Sequence, residues 1–260
     1  MDLGIKGKKA LVCGASSGLG LACAQALVAE GVHVVIVART EGNLQEAQQQ
    51  LLQLPGAGEV DYVAADVSTA EGRSRIFATH PNFDIVVTNA GGPPPGDFRN
   101  WESSDWYKAI DANMLAPIEI IKATVDHMME RGWGRIINIT SSAVKSPLDG
   151  LGLSIGARSG LTGFVSGLAR TTIARGVTIN NILPGTFDTA RLAGNFEAQA
   201  QREGKDVEAV RQARLVKHPA HRFGLPAELG HTCAYLCSVH AGYINAQNIL
   251  LDGGSFAGVF

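Results

Sequence analysis

A glycine-rich turn set between two buried strand-length runs constrains this chain more than any other feature. Lys9 to Cys13 and Val32 to Val37 are largely apolar runs, the pattern of strands covered on both faces of a parallel sheet. Between them Gly14-Ala15-Ser16-Ser17-Gly18-Leu19-Gly20 leads into a helix that begins near Gly18 and ends at Gly31. Strand, tight turn, helix and strand make a βαβ unit. In that setting one glycine lets the chain turn out of the strand, a second lets the backbone approach a pyrophosphate, and a third lets the helix pack close to the strand. The helix start then offers free amide donors and the positive end of the helix dipole. Gly14, Ser16, Ser17, Gly18, Leu19 and Gly20 are therefore candidate phosphate-binding positions in a dinucleotide site.

Further strand-length runs follow at Val60 to Ala64, Ile85 to Thr88, Arg135 to Ile139, Thr178 to Ile182 and Asn248 to Leu251, each after a helix-length stretch. This alternation predicts an α/β fold, a single doubly wound, Rossmann-type domain over 1–260 with a seven-stranded parallel sheet flanked by helices. At 45% hydrophobic and 18% charged residues the chain can bury one core of that size, and no repeat or linker divides it. The least regular stretches are Gly91 to Gly96 and the polar segment Arg191 to His221, which gives an expected substrate loop at about 186–222. Ligands in such folds bind beyond the carboxyl ends of the strands, where these loops fall.

Charge excludes some partners. The formal net charge is −2 with scattered Lys and Arg, so no basic face for nucleic acid or a membrane surface is expected. No apolar run reaches the roughly 20 residues of a membrane helix, and the first residues lack signal-peptide features, which leads to an expectation of a cytoplasmic protein. Cys13, Cys23, Cys233 and Cys237 lack zinc-type spacing and read as buried reduced thiols, and no metal site is expected.

The end of the second strand bears on cofactor choice. A carboxylate there accepts from the ribose 2′-hydroxyl of NAD, whereas an arginine clamps a 2′-phosphate. The chain reads Ala38-Arg39-Thr40, which favours NADP(H) over NAD(H).

The glycine spacing Gly-x-x-x-Gly-x-Gly, together with Thr140-Ser141-Ser142 and the segment Ser154 to Gly163, resembles the short-chain dehydrogenase/reductase family, and within it the 3-oxoacyl-carrier-protein reductases. Other family marks occur in order along the chain. Asp66-Val67 resembles the pair that meets the adenine. Thr88-Asn89-Ala90-Gly91 resembles the family's Asn-Asn-Ala-Gly, which implies cofactor contact by Asn89, Ala90 and Gly91. Asp111-Ala112-Asn113 resembles the segment whose asparagine holds a proton-relay water. Pro184-Gly185-Thr186, followed by Thr189, resembles the turn over the nicotinamide. Asp252-Gly253-Gly254 resembles a C-terminal motif near a subunit interface, and with Leu161, Phe164, Val165 and Leu168 at helical spacing it implies a homotetramer or homodimer.

One departure carries weight. In the family a serine is followed thirteen residues later by Tyr-x-x-x-Lys, and here Ser141 is followed by Ser154 and Arg158. The resemblance implies catalytic positions at Asn113, Ser141, Ser154 and Arg158, with Arg158 also at the nicotinamide ribose. A serine hydroxyl is far less acidic than a phenol of pKa about 10, so a water between Ser141, Ser154 and Asn113 is the expected proton source, with Arg158 facing the developing alkoxide. Lys145, His218 and His221 are nearby in sequence but read as surface or structural side chains. The favoured expectation is an NADP(H)-dependent oxidoreductase interconverting a carbonyl and a secondary alcohol of a small metabolite. The alternative is a catalytically weak or inactive dinucleotide-binding sensor or scaffold. A non-redox enzyme similar to the halohydrin dehalogenases is disfavoured, because those give up the dinucleotide loop.

Overall fold

The computed structural model describes residues 1–259. Its strands are β1 (Lys9–Cys13), β2 (His33–Ala38), β3 (Val60–Ala64), β4 (Ile85–Thr88), β5 (Gly134–Ile139), β6 (Val177–Pro184) and β7 (Asn248–Leu251). All pair in parallel, in the order β3-β2-β1-β4-β5-β6-β7. The seven-stranded parallel sheet is the one expected, with ends shifted by a residue or two where ladder bonds continue past the apolar run, as at Leu183 and Pro184. The helices are α1 (Gly18–Ala29), α2 (Glu41–Leu52), α3 (Ala70–Thr79), α4 (Ser103–Ile110), α5 (Ala116–Glu130), α6 (Gly152–Thr172), α7 (Ala190–Glu203), α8 (Val207–Lys217) and α9 (Pro226–Cys237).

Strand alternation sorts the core into two layers. Val12, Ile36, Val87 and Ile137 pack with Leu27 of α1, Leu44 of α2 and Cys233 of α9. Leu11, Val35, Val86 and Ile136 point the other way, onto Ile76 of α3, Ile120 of α5 and Val165 of α6. Each fully buried Leu, Ile or Val contributes about 1.5–3 kcal/mol, so these layers supply the main drive for folding. The four cysteines are buried free thiols, and burial pushes Cys13 up to about 12. On α6, Leu161 and Val165 are buried, Leu168 is partly buried against the core and Phe164 is exposed.

A polar ladder crosses the α5/α6 side of the sheet. Thr88 Oγ1 donates to Asn138 Oδ1 at 2.7 Å, Asn138 Nδ2 to Asn181 Oδ1 at 3.0 Å, and Asn181 Nδ2 to Asn248 Oδ1 at 2.8 Å. These residues are register partners across β4, β5, β6 and β7. A one-residue slip of β5 would bring Ile137 or Ile139 opposite the Thr88 hydroxyl and the Asn181 amide, so the ladder fixes register where apolar packing alone is tolerant.

The segment 191–221, expected to be irregular, instead holds α7 and α8. Thr189 caps α7 by accepting from Leu192 N, Gly204 ends it at φ +62°, and Asp206 caps α8 by accepting from Ala209 N. Phe196, Ala200, Val210 and Phe223 form a small separate core beneath the pair. The polar outer faces of both helices dilute the apolar periodicity, while the caps punctuate it. Gly91 to Gly96 is without regular structure, as expected.

Asn138→Leu is expected to cost about 2–4 kcal/mol in urea unfolding, because it orphans the Thr88 hydroxyl and the Asn181 carbonyl in the core. Asn248→Ala, at the partly exposed end of the ladder, should cost about 1 kcal/mol. Equal costs at the two positions would show that the ladder does not act as a buried network.

Candidate functional site

The sheet order reverses between β1 and β4, and a groove of about 640 Å³ opens at the carboxyl ends of the strands there. The glycine turn forms one wall. Gly18 has φ +58°, and the nearest atom to a Cβ built on it is Thr189 Cγ2 at 3.8 Å, so the backbone lies open to the groove. Gly20 differs. A Cβ there would collide with the carbonyl of Gly14, so Gly20 brings α1 against the end of β1 and does not line the groove. Ser17 caps α1 without committing its hydroxyl to the helix, and no acidic residue occupies the first turn. Hydroxyl, amides and dipole are therefore left for an anion, which fits the phosphates of a dinucleotide.

Gly14, Ser16, Ser17, Gly18, Leu19, Arg39, Asp66, Val67, Asn89, Ala90, Gly91 and Thr189 all line this groove. Asn89 Nδ2 donates to Gly14 O at 3.2 Å, tying the loop after β4 to the glycine turn. At the far end, Ser68 donates to the Asp66 carboxylate from both its hydroxyl and its backbone, which with nearby Arg39 holds Asp66 below the usual carboxylate range.

A second cavity of about 390 Å³ continues from the groove, sharing Leu19, Asn89, Ala90, Gly92, Thr189 and Arg191 with it. Ser141, Ser154, Arg158, Pro184, Gly185 and Thr186 line this cavity. Ser141 Oγ accepts from Ala143 N at 3.1 Å, which leaves its own hydrogen free to donate. Gly185 N donates to Leu251 O at 2.8 Å, and a Cβ on Gly185 would meet Asp252 at 2.7 Å. The Asp252 carboxylate accepts from Gly254 N and Phe256 N, so within one chain the C-terminal turn braces the Pro184–Thr186 wall.

Arg158 is the unusual member. It is only 8% exposed; Nη1 donates to Ser154 Oγ one helical turn earlier, and Nη2 donates to Ala90 O at 3.3 Å. Burial, reinforced by the guanidinium of Arg191, brings its pKa down to about 10, which leaves it cationic at neutral pH. A guanidinium carries five donors, and a buried charge without a counter-ion is costly. Asn113 is placed differently from Ser141, Ser154 and Arg158. It sits in a π-turn, Asp111–Leu115, between α4 and α5, buried, with Nδ2 donating to Ala109 O at 3.3 Å, and it lines neither cavity.

Of the side chains left aside in the sequence reading, Lys145 and His221 are exposed, while His218 is buried with Nε2 3.1 Å from Ser255 Oγ. Sequence reading did not single out Arg191 and Arg214, which line the second cavity from α7 and α8. Recognising the helix caps at Thr189 and Asp206 would have placed both side chains on helices beside the site. No helix among the described residues is long and apolar enough to cross a membrane, and no cluster of three or more potential metal ligands occurs among them.

The chain belongs to the short chain dehydrogenase family, which it matches over residues 8–200. Among known proteins it is similar to dehydrogenase/reductase SDR family member 4 of Oryctolagus cuniculus, at 32% identity over 95% of this chain and 93% of that protein. It is also similar to D-beta-hydroxybutyrate dehydrogenase of Cupriavidus necator, at 33% identity over 96% and 98%. Among solved structures, L-sorbose reductase from Gluconobacter frateurii, complexed with NADPH and L-sorbose, superposes with a TM-score of 0.93 at 31% identity over the whole of both chains.

Arg158→Met keeps an unbranched apolar stem and removes the guanidinium with its uncompensated charge. The ligand-free protein is expected to be unchanged or up to about 2 kcal/mol more stable, while the thermal shift given by NADPH falls by about half or more. A loss of more than about 2 kcal/mol in the ligand-free protein would mark Arg158 as a structural cation.

Proposed function

We propose that this protein is an NADP(H)-dependent oxidoreductase that interconverts a carbonyl and a secondary alcohol of a small metabolite. The observation that carries this reading is the continuity of the two cavities. The groove holding the glycine turn and Arg39 opens onto the cavity holding Ser141, Ser154 and Arg158. A family member of the same fold binds NADPH and the carbonyl compound L-sorbose together, which supports this reading. Preference for NADP(H) rests on Arg39, with Ala38 in place of a carboxylate beside it.

A nicotinamide held beside Pro184, Gly185 and Thr186 would supply or accept a hydride at the carbonyl carbon, and the residues around it would give or take the oxygen's proton. Ser154 stands where the family resemblance places a tyrosine, and it differs from a phenol in both reach and acidity. Its Oγ accepts from Arg158, so its hydrogen is free to bond a water in the cavity. Ser141 donates to the substrate oxygen, and a cavity water beside Ser154, re-protonated from solvent, delivers the proton, with Ser154 a spacer next to the relay. Arg158 offers positive charge to the developing alkoxide and donors to the nicotinamide ribose. Asn113, buried in the π-turn beside groove-lining Ala112, is a positioning residue on this reading, and its role is to hold the junction of α4 and α5.

Arg39→Ala should weaken NADPH by about 1.5–3 kcal/mol and leave NADH nearly unchanged in titrations; equal loss for both cofactors would remove the case for NADP. With a turned-over carbonyl substrate, Ser154→Ala should lower kcat less than about tenfold, and Ser141→Ala and Arg158→Ala about 10²- to 10⁴-fold. The wild-type kcat/KM should be flat between about pH 6 and 9. No His or Cys lines either cavity among the described residues, Asp66 titrates below its usual range and Arg158 near 10. A bell-shaped profile within that range would demand a different acid. NADPH binding without turnover of any carbonyl in a broad panel, even after Ser154→Tyr with Arg158→Lys, would turn the reading to a dinucleotide-binding sensor.

A further inference from the structure

Three arginines, Arg158, Arg191 and Arg214, line the cavity beside Ser141, and neither Asp nor Glu lines it among the described residues. That concentration is local, because the whole chain has 24 Asp and Glu against 22 Lys and Arg. Nearby arginines are neutralised. Arg211 lies 3.3 Å from Asp188 and Arg222 lies 2.6 Å from Glu228, whereas Arg191 and Arg214 have no carboxylate at ion-pairing distance among the described residues.

Two of the three also converge. Arg191 Nη2 donates to Gly92 O at 3.1 Å, and a Cβ built on Gly92 would lie 3.1 Å from Arg158 Nη1 and 3.2 Å from Arg191 Nη2. Two guanidinium groups brought to one glycine repel each other, buried Arg158 being less screened by solvent than exposed Arg191. An anion placed between the arginines converts repulsion into paired, charge-assisted hydrogen bonds, for which the planar guanidinium fork is shaped.

We propose that the substrate is an anionic carbonyl compound, its carboxylate or phosphate held by Arg191 and Arg214 while its carbonyl lies at Ser141. This rests on the oxidoreductase reading above. Arg191 also lines the dinucleotide groove, so a cofactor phosphate is the competing source of negative charge there. Arg214 lines the substrate cavity and not the groove, and it separates the two.

The test compares matched pairs on the intact protein: 3-oxobutanoate with its ethyl ester, and dihydroxyacetone phosphate with dihydroxyacetone. Turnover is followed by NADPH absorbance, and binding by calorimetry on NADPH-saturated protein. At least one anion should have a KM or Kd at least about tenfold below that of its neutral partner, and Arg214→Ala and Arg191→Ala should each bring that ratio down towards one. Turnover of neutral partners as readily as anions would overturn the inference and leave the oxidoreductase reading intact. Anion-selective binding that Arg214→Ala removes, with no turnover, would uphold the arginine-held anion site and count against the oxidoreductase reading, which the broad carbonyl panel then decides. If both variants weaken NADPH and leave the anion-to-neutral ratio unchanged, the arginines serve the cofactor and the inference fails. It also fails if neither anion binds.

Discussion

The register of the sheet is held by a row of side-chain amides, and the geometry of the site follows from it. Thr88, Asn138, Asn181 and Asn248 pass hydrogen bonds in one direction across four strands. The loops that build the site leave those same strands a few residues later, at Asn89, Ser141 and Pro184. Parallel strands rich in Val and Ile tolerate slippage, since one branched aliphatic replaces another at little cost. A buried amide does not, because a slipped partner leaves it unsatisfied. The ladder therefore sets the carboxyl ends of the strands in a common frame, on the side of the sheet that α5 and α6 cover.

Within that frame the site holds positive charge that the chain leaves unpaired. Arg158 reaches the cavity from α6 through a buried path, donating to Ser154 and to the carbonyl of Ala90. Most buried charges are paired with an opposite charge and further hydrogen-bonded. Two acceptors for five donors is incomplete matching, and it sits where the two cavities join. A pre-organised donor set of this kind loses little on binding an anion or a developing oxyanion, because its reorganisation has been met during folding. Stability and site chemistry thus pull in opposite directions at this one side chain.

The sheet and the glycine turn were legible in the sequence because each reports a local rule. Runs of apolar residues mark strands covered on both sides, and a glycine cluster between strand and helix marks close approach of backbone. Less was legible where long-range contacts decide the outcome. Gly20 packs α1 on β1, the role the third glycine of the turn was expected to have, but it does not line the groove, so spacing alone overstated it as a phosphate-binding position. The resemblance implied that Asn113 holds a relay water; the structure buries it in a π-turn and it lines neither cavity, and one extra residue in a helical turn leaves no mark in composition. The helices α7 and α8 escaped because their apolar face is narrow and rests on a core of its own. With them went Arg191 and Arg214, two cationic side chains in a polar stretch that only the fold brings to the cavity.

That separate core has an evolutionary consequence. Phe196, Ala200, Val210 and Phe223 anchor α7 and α8 to each other, and the two main layers of the sheet draw on none of them. Beyond the first turn of α7, where Ala190 and Arg191 also line the dinucleotide groove, the helix pair can therefore accumulate changes at its cavity-facing positions without disturbing the register of the strands. Relatives built on the same scaffold are free to diverge in what they accept by rewriting these two helices, while the machinery beneath is inherited intact.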